Sequence, residues 1–167
     1  MTDRIALLDL PETHLRALDF LLKRLPPLAY FWVLTGSASL RLQGVDVPVH
    51  DLDIQAGEKT VYLIEQQLAE FMKTPIHLWE SPGMRSLDGR AGILGVEIEL
   101  LADIAHLQPD GTWSKYTDFS RLIWVGTQGL TIPVFPLQDE LEAYQAMGRT
   151  EKAALICKTI QQVRRSS

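Results

Sequence analysis

The spacing of apolar and polar positions divides the 167-residue chain into a mixed front part, a strand-rich middle and a helical end. Leu15, Leu18, Leu21 and Leu22 recur at helical spacing over 12–24, and Pro26-Pro27 closes that helix because proline lacks the amide a helix interior needs. The apolar run 30–34 predicts a buried strand ended by Thr35-Gly36-Ser37, and 38–42 a short helix before Gly44. Over 49–55, Leu52 and Ile54 alternate with Asp51 and Asp53, the period-2 pattern of a strand with one apolar face. Val61, Ile64, Leu68 and Phe71 then share one face of a helix.

Beyond Pro75 the pattern shortens to strands over 76–79, 84–87 and 93–101, followed by a loosely patterned stretch over 103–118. Segments 122–125 and 130–134 flank Gly126-Thr127-Gln128-Gly129, which predicts a hairpin. Helices are expected over 138–147 and 150–163, with Gly148 as the C-cap between them. The predicted fold class is α+β with a mixed sheet, as one domain: a core over 1–136 and a helical pair over 137–167 packed on it.

Composition narrows the function. With 46% hydrophobic and 22% charged residues, a wholly disordered or fibrous chain is excluded. The 21 acidic against 16 basic residues, net charge -5, argue against a coat for duplex nucleic acid or acidic lipid, while a small anionic ligand stays compatible. The apolar run 25–34 is too short and proline-broken to span a bilayer, and Met1-Thr2-Asp3-Arg4 lacks a signal-peptide layout, so a cytoplasmic protein is expected. The single cysteine, Cys157, allows no internal disulfide and no cysteine zinc cluster, and its spacing with Ala153, Ala154 and Ile160 reads as core. The four histidines have no ligand spacing.

The chemistry concentrates in Val33-Leu34-Thr35-Gly36-Ser37, 13 residues, then Asp51-Leu52-Asp53-Ile54. Gly36-Ser37 stands where a strand gives way to a helix, so backbone amides are free there and glycine lets a phosphate come close. Asp51 and Asp53 project from one strand face and repel each other unless a cation lies between them; Mg²⁺ takes oxygen ligands of this kind and also holds phosphates. The strand Val96-Glu97-Ile98-Glu99-Leu100 offers a third acid, Glu99 or Glu97, on one face. Arg85 and Lys59 are candidate phosphate neutralisers. Singly, Asp-x-Asp reads as a solvated edge and Ser37 as a helix N-cap. Their order along the chain carries the functional reading.

A hydrophobic strand, Gly-Ser, a spacer of this length and Asp-hydrophobic-Asp-hydrophobic resembles the polymerase β-like nucleotidyltransferase superfamily, in particular its small single-domain, minimal members. Those include antibiotic nucleotidyltransferases and toxin–antitoxin-associated proteins. The resemblance implies that Gly36 and Ser37 hold nucleotide phosphates, that Asp51 and Asp53 bind Mg²⁺ or Mn²⁺, and that Glu99, with Glu97 as the alternative, completes the site and activates the acceptor hydroxyl. The run opened by Glu99, Glu-Leu-Leu-Ala-Asp-Ile, is similar to the acid strand of bacterial members and favours Glu99. The implied reaction moves a nucleoside monophosphate from an NTP, with ATP the expected donor, to a hydroxyl acceptor and releases pyrophosphate. The tail departs from those members, with Tyr144-Gln145 where a Lys is expected. That departure supports an alternative: a catalytically weak nucleotide-binding or antitoxin-like partner of the same fold, with a second copy or a toxin-like protein as its partner.

Overall fold

The computed structural model describes residues 8–167, so the Met1-Thr2-Asp3-Arg4 start lies outside the described residues. Helix α1 (Glu12–Arg24) forms where leucine spacing places it and buries Ala17, Leu18 and Leu21. The expected strand over 30–34 is shifted. Pro26 and Pro27 preset φ for a short helix α2 (Pro27–Tyr30), which takes Tyr30, and Phe31, at φ 22, turns the chain into β1 (Trp32–Thr35). Trp32 Nε1 donates to the Leu25 carbonyl at 2.8 Å, tying the end of α1 to the start of β1. Helix α3 (Gly36–Leu42) opens directly at Gly36, and β2 (Leu52–Ala56) begins only after Asp51.

Helix α4 (Glu58–Gln67) stops short of Phe71, which lies in a 3₁₀ turn. Strands β3 (Met72–Ser81) and β4 (Met84–Ile93) are much longer than the sequence pattern predicts, and β5 (Val96–His106) begins and ends later than expected. Ser86-Leu87-Asp88-Gly89-Arg90-Ala91-Gly92 lacks strand propensity, yet β4 is hydrogen-bonded to a partner on each side, and that pairing overrides local preference. Likewise Asp103–His106, expected to be loose, continues β5. Strands β6 (Ile123–Thr127) and β7 (Leu130–Val134) form the expected hairpin, with Gln128 and Gly129 at positive φ in its turn. Helices α5 (Leu137–Ala146) and α6 (Thr150–Ser166) close the chain.

The seven strands form one mixed sheet in the order β3-β4-β5-β2-β1-β7-β6, with β2/β5 and β1/β7 parallel and the other neighbours antiparallel. Along β5, Val96, Ile98, Leu100 and Ala102 are buried while Glu97, Glu99 and Leu101 are half-buried. The buried row packs in one core with Leu18 and Leu21 of α1 and Val61 and Ile64 of α4, each large side chain contributing about 1.5–3 kcal/mol. The acid row therefore lies on the opposite sheet face. A second cluster joins Leu40, Val45 and Val47 to Leu141, Tyr144, Ala153 and Ile156, and so docks α5 and α6 against α3. Cys157 is half-buried at the edge of that cluster and Ala154 is exposed, so neither is the core residue the helical spacing predicts. Among the described residues no helix is long and apolar enough to cross a membrane.

Candidate active site

Strand register assembles the acids. In the antiparallel β1/β2 pair Thr35 lies opposite Asp53, and in the parallel β2/β5 pair Asp53 lies beside Glu99. Asp51 precedes β2, on a segment anchored to α1 by the His14 Nε2 donor, 3.0 Å from the His50 carbonyl. Asp51, Asp53 and Glu99 thus each present a carboxylate oxygen within 4.8 Å of the others. Gly36 has φ 68, and a Cβ there would collide with Asp53 Oδ2. Glycine is required twice, for the left-handed backbone and for the close approach of the carboxylate.

The cluster is short of positive charge. Burial, then the Asp51 charge, push the Asp53 pKa from 3.8 to about 6, although Glu99, Lys152 and Arg149 act in the opposite direction. Burial, then Asp88 and Asp53, push Glu99 from 4.5 to about 8. Asp53 Oδ1 is buried and has no hydrogen-bond partner among the described residues. An orphaned buried carboxylate oxygen beside two further carboxylates fits a hard divalent cation such as Mg²⁺ or Mn²⁺, whose preferred ligands are oxygens.

Strand β4 supplies what the sequence reading missed on this side. Arg90 lies opposite Glu99, with Nη1 2.8 Å from Glu97, Nη2 3.7 Å from Glu99 and Nε 3.9 Å from Asp88. Its closest contact is Glu97, which is turned to the guanidinium, while Glu99 reaches the aspartates. Arg85, by contrast, pairs with Ala105 near the far end of β5, and its guanidinium stacks 4.4 Å from the Trp113 ring centroid. Because β4 runs antiparallel to β5, Arg85 lies about 16 Å of strand away from Arg90 and is not brought to the acids. Lys59 is exposed in the first turn of α4, beyond the opposite end of β2, and is not brought there either.

The cations come instead from the C-terminal helices. Lys152 Nζ donates to Ser37 Oγ at 3.2 Å. Tyr144 lies beneath, its ring centroid 5.5 Å from Lys152 Nζ and 5.9 Å from the Arg149 guanidinium carbon. Burial and the surrounding carboxylates hold the Tyr144 phenol neutral well above its usual range. Tyr144 thus replaces the expected Lys with a platform that seats two cations, and Lys152 reaches the glycine–serine turn from the next helix. Glu140, on α5, is buried and accepts from Thr35 Oγ1 at 2.8 Å. No local pattern flags Lys152 or Glu140, whose partners Ser37 and Thr35 lie 115 and 105 residues away, and Arg90 meets Glu97 and Glu99 only through the pairing of β4 with β5.

A glycine–serine turn between a strand and a helix, next to three clustered carboxylates on adjacent strands of a mixed sheet, is the arrangement of a nucleotidyltransferase. A solved structure described as a "putative nucleotidyltransferase" from Thermotoga maritima is 36% identical to this chain, with a TM-score of 0.80, covering 93% of this chain and 97% of that one. The lincomycin-bound structure of a lincosamide antibiotic adenylyltransferase, LnuA, shares the fold at 15% identity and a TM-score of 0.57, covering 92% and 98% of the two chains. No protein-family model matches the chain, nor does any curated protein match it significantly. On the first of these likenesses the chain belongs to the polymerase β-like nucleotidyltransferase superfamily.

Proposed function

We propose that the protein is a cytoplasmic, metal-dependent nucleotidyltransferase that moves a nucleoside monophosphate from ATP to a hydroxyl acceptor and releases pyrophosphate. The observation that carries this reading is the convergence of Asp51, Asp53 and Glu99 within 4.8 Å beside the Gly36-Ser37 turn. These three acids would hold Mg²⁺ or Mn²⁺, which when bound supplies charge neutralisation at the reacting phosphate and acidifies the acceptor hydroxyl. Gly36 and Ser37 offer backbone amides to the outer phosphates, and Lys152 and Arg149 offset their charge from the side of α6.

Glu99 takes the proton of the acceptor hydroxyl on a carboxylate oxygen while the acceptor oxygen bonds to the α-phosphorus and the bond to pyrophosphate breaks. Asp88 and Arg90, both close to Glu99, fix where that oxygen lies. In this reading residues 1–136 hold the acids, and residues 137–167 complete the phosphate side.

The test is pyrophosphate release from ATP and Mg²⁺ in the presence of pooled hydroxyl acceptors, with Asp53→Asn as the control. Release by the wild type that Asp53→Asn abolishes supports the assignment; release retained by Asp53→Asn overturns it. Binding of Mg²⁺ and ATP without any release would point to the antitoxin-like module with little turnover.

A further inference from the structure

Glu140 has no part in the chemistry above, yet it is among the most unusual residues of the molecule. It is 3% exposed, in the first turn of α5, and among the described residues no basic side chain is hydrogen-bonded to it. Its surroundings are unfavourable for a charge: burial raises its pKa to about 7, with Asp53 and Asp139 adding to the rise. What opposes this are two hydroxyls. Thr35 Oγ1 donates to Glu140 Oε1 at 2.8 Å, and Ser39, completely buried, also favours the charged form. Thr35 and Ser39 bracket Gly36-Ser37, one residue before the turn and two after it. Ser39 is in turn held by Gln43 Nε2 at 3.2 Å, whose amide also donates to the Phe135 carbonyl at 2.9 Å, just ahead of α5.

A buried carboxylate of this kind is weak evidence for stability, because an apolar side chain of similar volume often serves as well or better. Leu141 and Tyr144 of the same helix already dock α5. The Gly36-Ser37 turn needs an external brace, since Gly36 sits at φ 68 with Asp53 pressed against its α-carbon, and α3 is only seven residues long.

We propose that Glu140 is a positioning residue which holds the glycine–serine turn through the Thr35 hydroxyl on its leading flank, so that the C-terminal helices set the geometry of the phosphate site and do more than cover it. The inference rests on the reading that Gly36 and Ser37 hold phosphate, but the clamp itself can be measured without a nucleotide.

The experiment compares Glu140→Leu, Glu140→Gln and Thr35→Val with the wild-type chain by amide hydrogen exchange and by calorimetry with Mg²⁺ and a non-hydrolysable ATP analogue. Glu140→Leu and Thr35→Val should speed exchange at residues 40–42, whose amides bond back to the carbonyls of 36–38, while exchange in β5 stays at the wild-type rate; the melting temperature should hold in Glu140→Leu and fall in Thr35→Val, which leaves the buried carboxylate without a donor. Glu140→Gln, which keeps an oxygen facing Thr35, should restore most of the protection. Analogue affinity should fall about tenfold in Glu140→Leu and in Thr35→Val, the loss expected for one hydrogen bond to a charged group. Should Glu140→Leu fail to fold, Thr35→Val breaks the same bond from its other end. Unchanged exchange at 40–42 in Thr35→Val overturns the clamp. A wild type that shows the clamp but binds no analogue overturns the nucleotide reading and leaves the clamp standing.

Discussion

The two sides of the site are built in different ways. The acid side stands on β2 and β5, with Asp51 just ahead of β2, and its spacing follows from two register pairs, Thr35 with Asp53 and Asp53 with Glu99. The cation side stands on two helices that follow the last strand, and it reaches the turn through side chains alone, Lys152 to Ser37 and Glu140 to Thr35. Backbone ladders hold the acids rigidly against their mutual repulsion, which is how a cluster whose members shift each other's pKa upward persists. The cations need no such scaffold, because a flexible ammonium on a long stem can follow a phosphate. The difference suggests that damage on the sheet side ends the chemistry, whereas damage on the helix side weakens binding.

The sharpest way to break this contrast is Asp53→Asn. Transfer should fall by at least about a hundredfold, the scale of losing a charge-stabilising group in an active site, and cation binding measured by calorimetry should be lost. The metal-free variant should melt higher than wild type at pH 8, because a repelled, half-desolvated charge has been removed; an unchanged melting temperature would argue that the cluster stores no repulsion.

Gly36→Ala comes next. It places a Cβ against Asp53 and forces alanine into the left-handed region, so denaturant unfolding should show a loss of about 3 kcal/mol, the upper range for a strained backbone position. Full stability would show that β1 and β2 can separate freely there, contrary to the rigid sheet side.

Lys152→Met should be milder, raising KM for ATP about tenfold with kcat changed far less and stability within about 0.5 kcal/mol, as for a half-exposed charge that binds uniformly. A collapse of kcat with KM unchanged would move Lys152 from binding to chemistry and erase the proposed division.

A last contrast lies in pH. Asp53, Glu99 and Glu140 have folded pKa values of about 6, 8 and 7, all above their ordinary values. Their neutral forms therefore stabilise the fold fully below about pH 4, and that contribution is lost progressively as pH rises from about 4 to about 8. The melting temperature in a chelator should decline over that window, and Mg²⁺ should flatten the decline; a flat profile in the chelator would count against the crowded acid side.

Much of this was legible in the chain alone where the signal is local. Alternation places Asp53 on a strand, although Asp51 lies just ahead of it, and Thr35-Gly36-Ser37 announces a strand-to-helix turn, because period and turn chemistry act between near neighbours. Arg85 shows where such reading ends: it precedes the acid strand in sequence, as a phosphate contact should, but antiparallel pairing carries it to the far end of β5 against Trp113. The polar run of β4 shows the same limit in the fold, since Ser86–Gly92 is strand only because it has partners on both sides.

What the sequence by itself determined, then, is the inventory of acids, the glycine that one of them must approach, and the helical nature of the tail, all properties of spacing and backbone freedom. Which of Glu97 and Glu99 joins the aspartates was decided by tertiary structure, through the Asp53–Glu99 register and the pull of Arg90 on Glu97. So was the source of the cations. Lys152 lies 115 residues from Ser37, and only the packing of Leu141, Tyr144 and Ile156 onto α3 brings that charge to the turn where a phosphate would meet it.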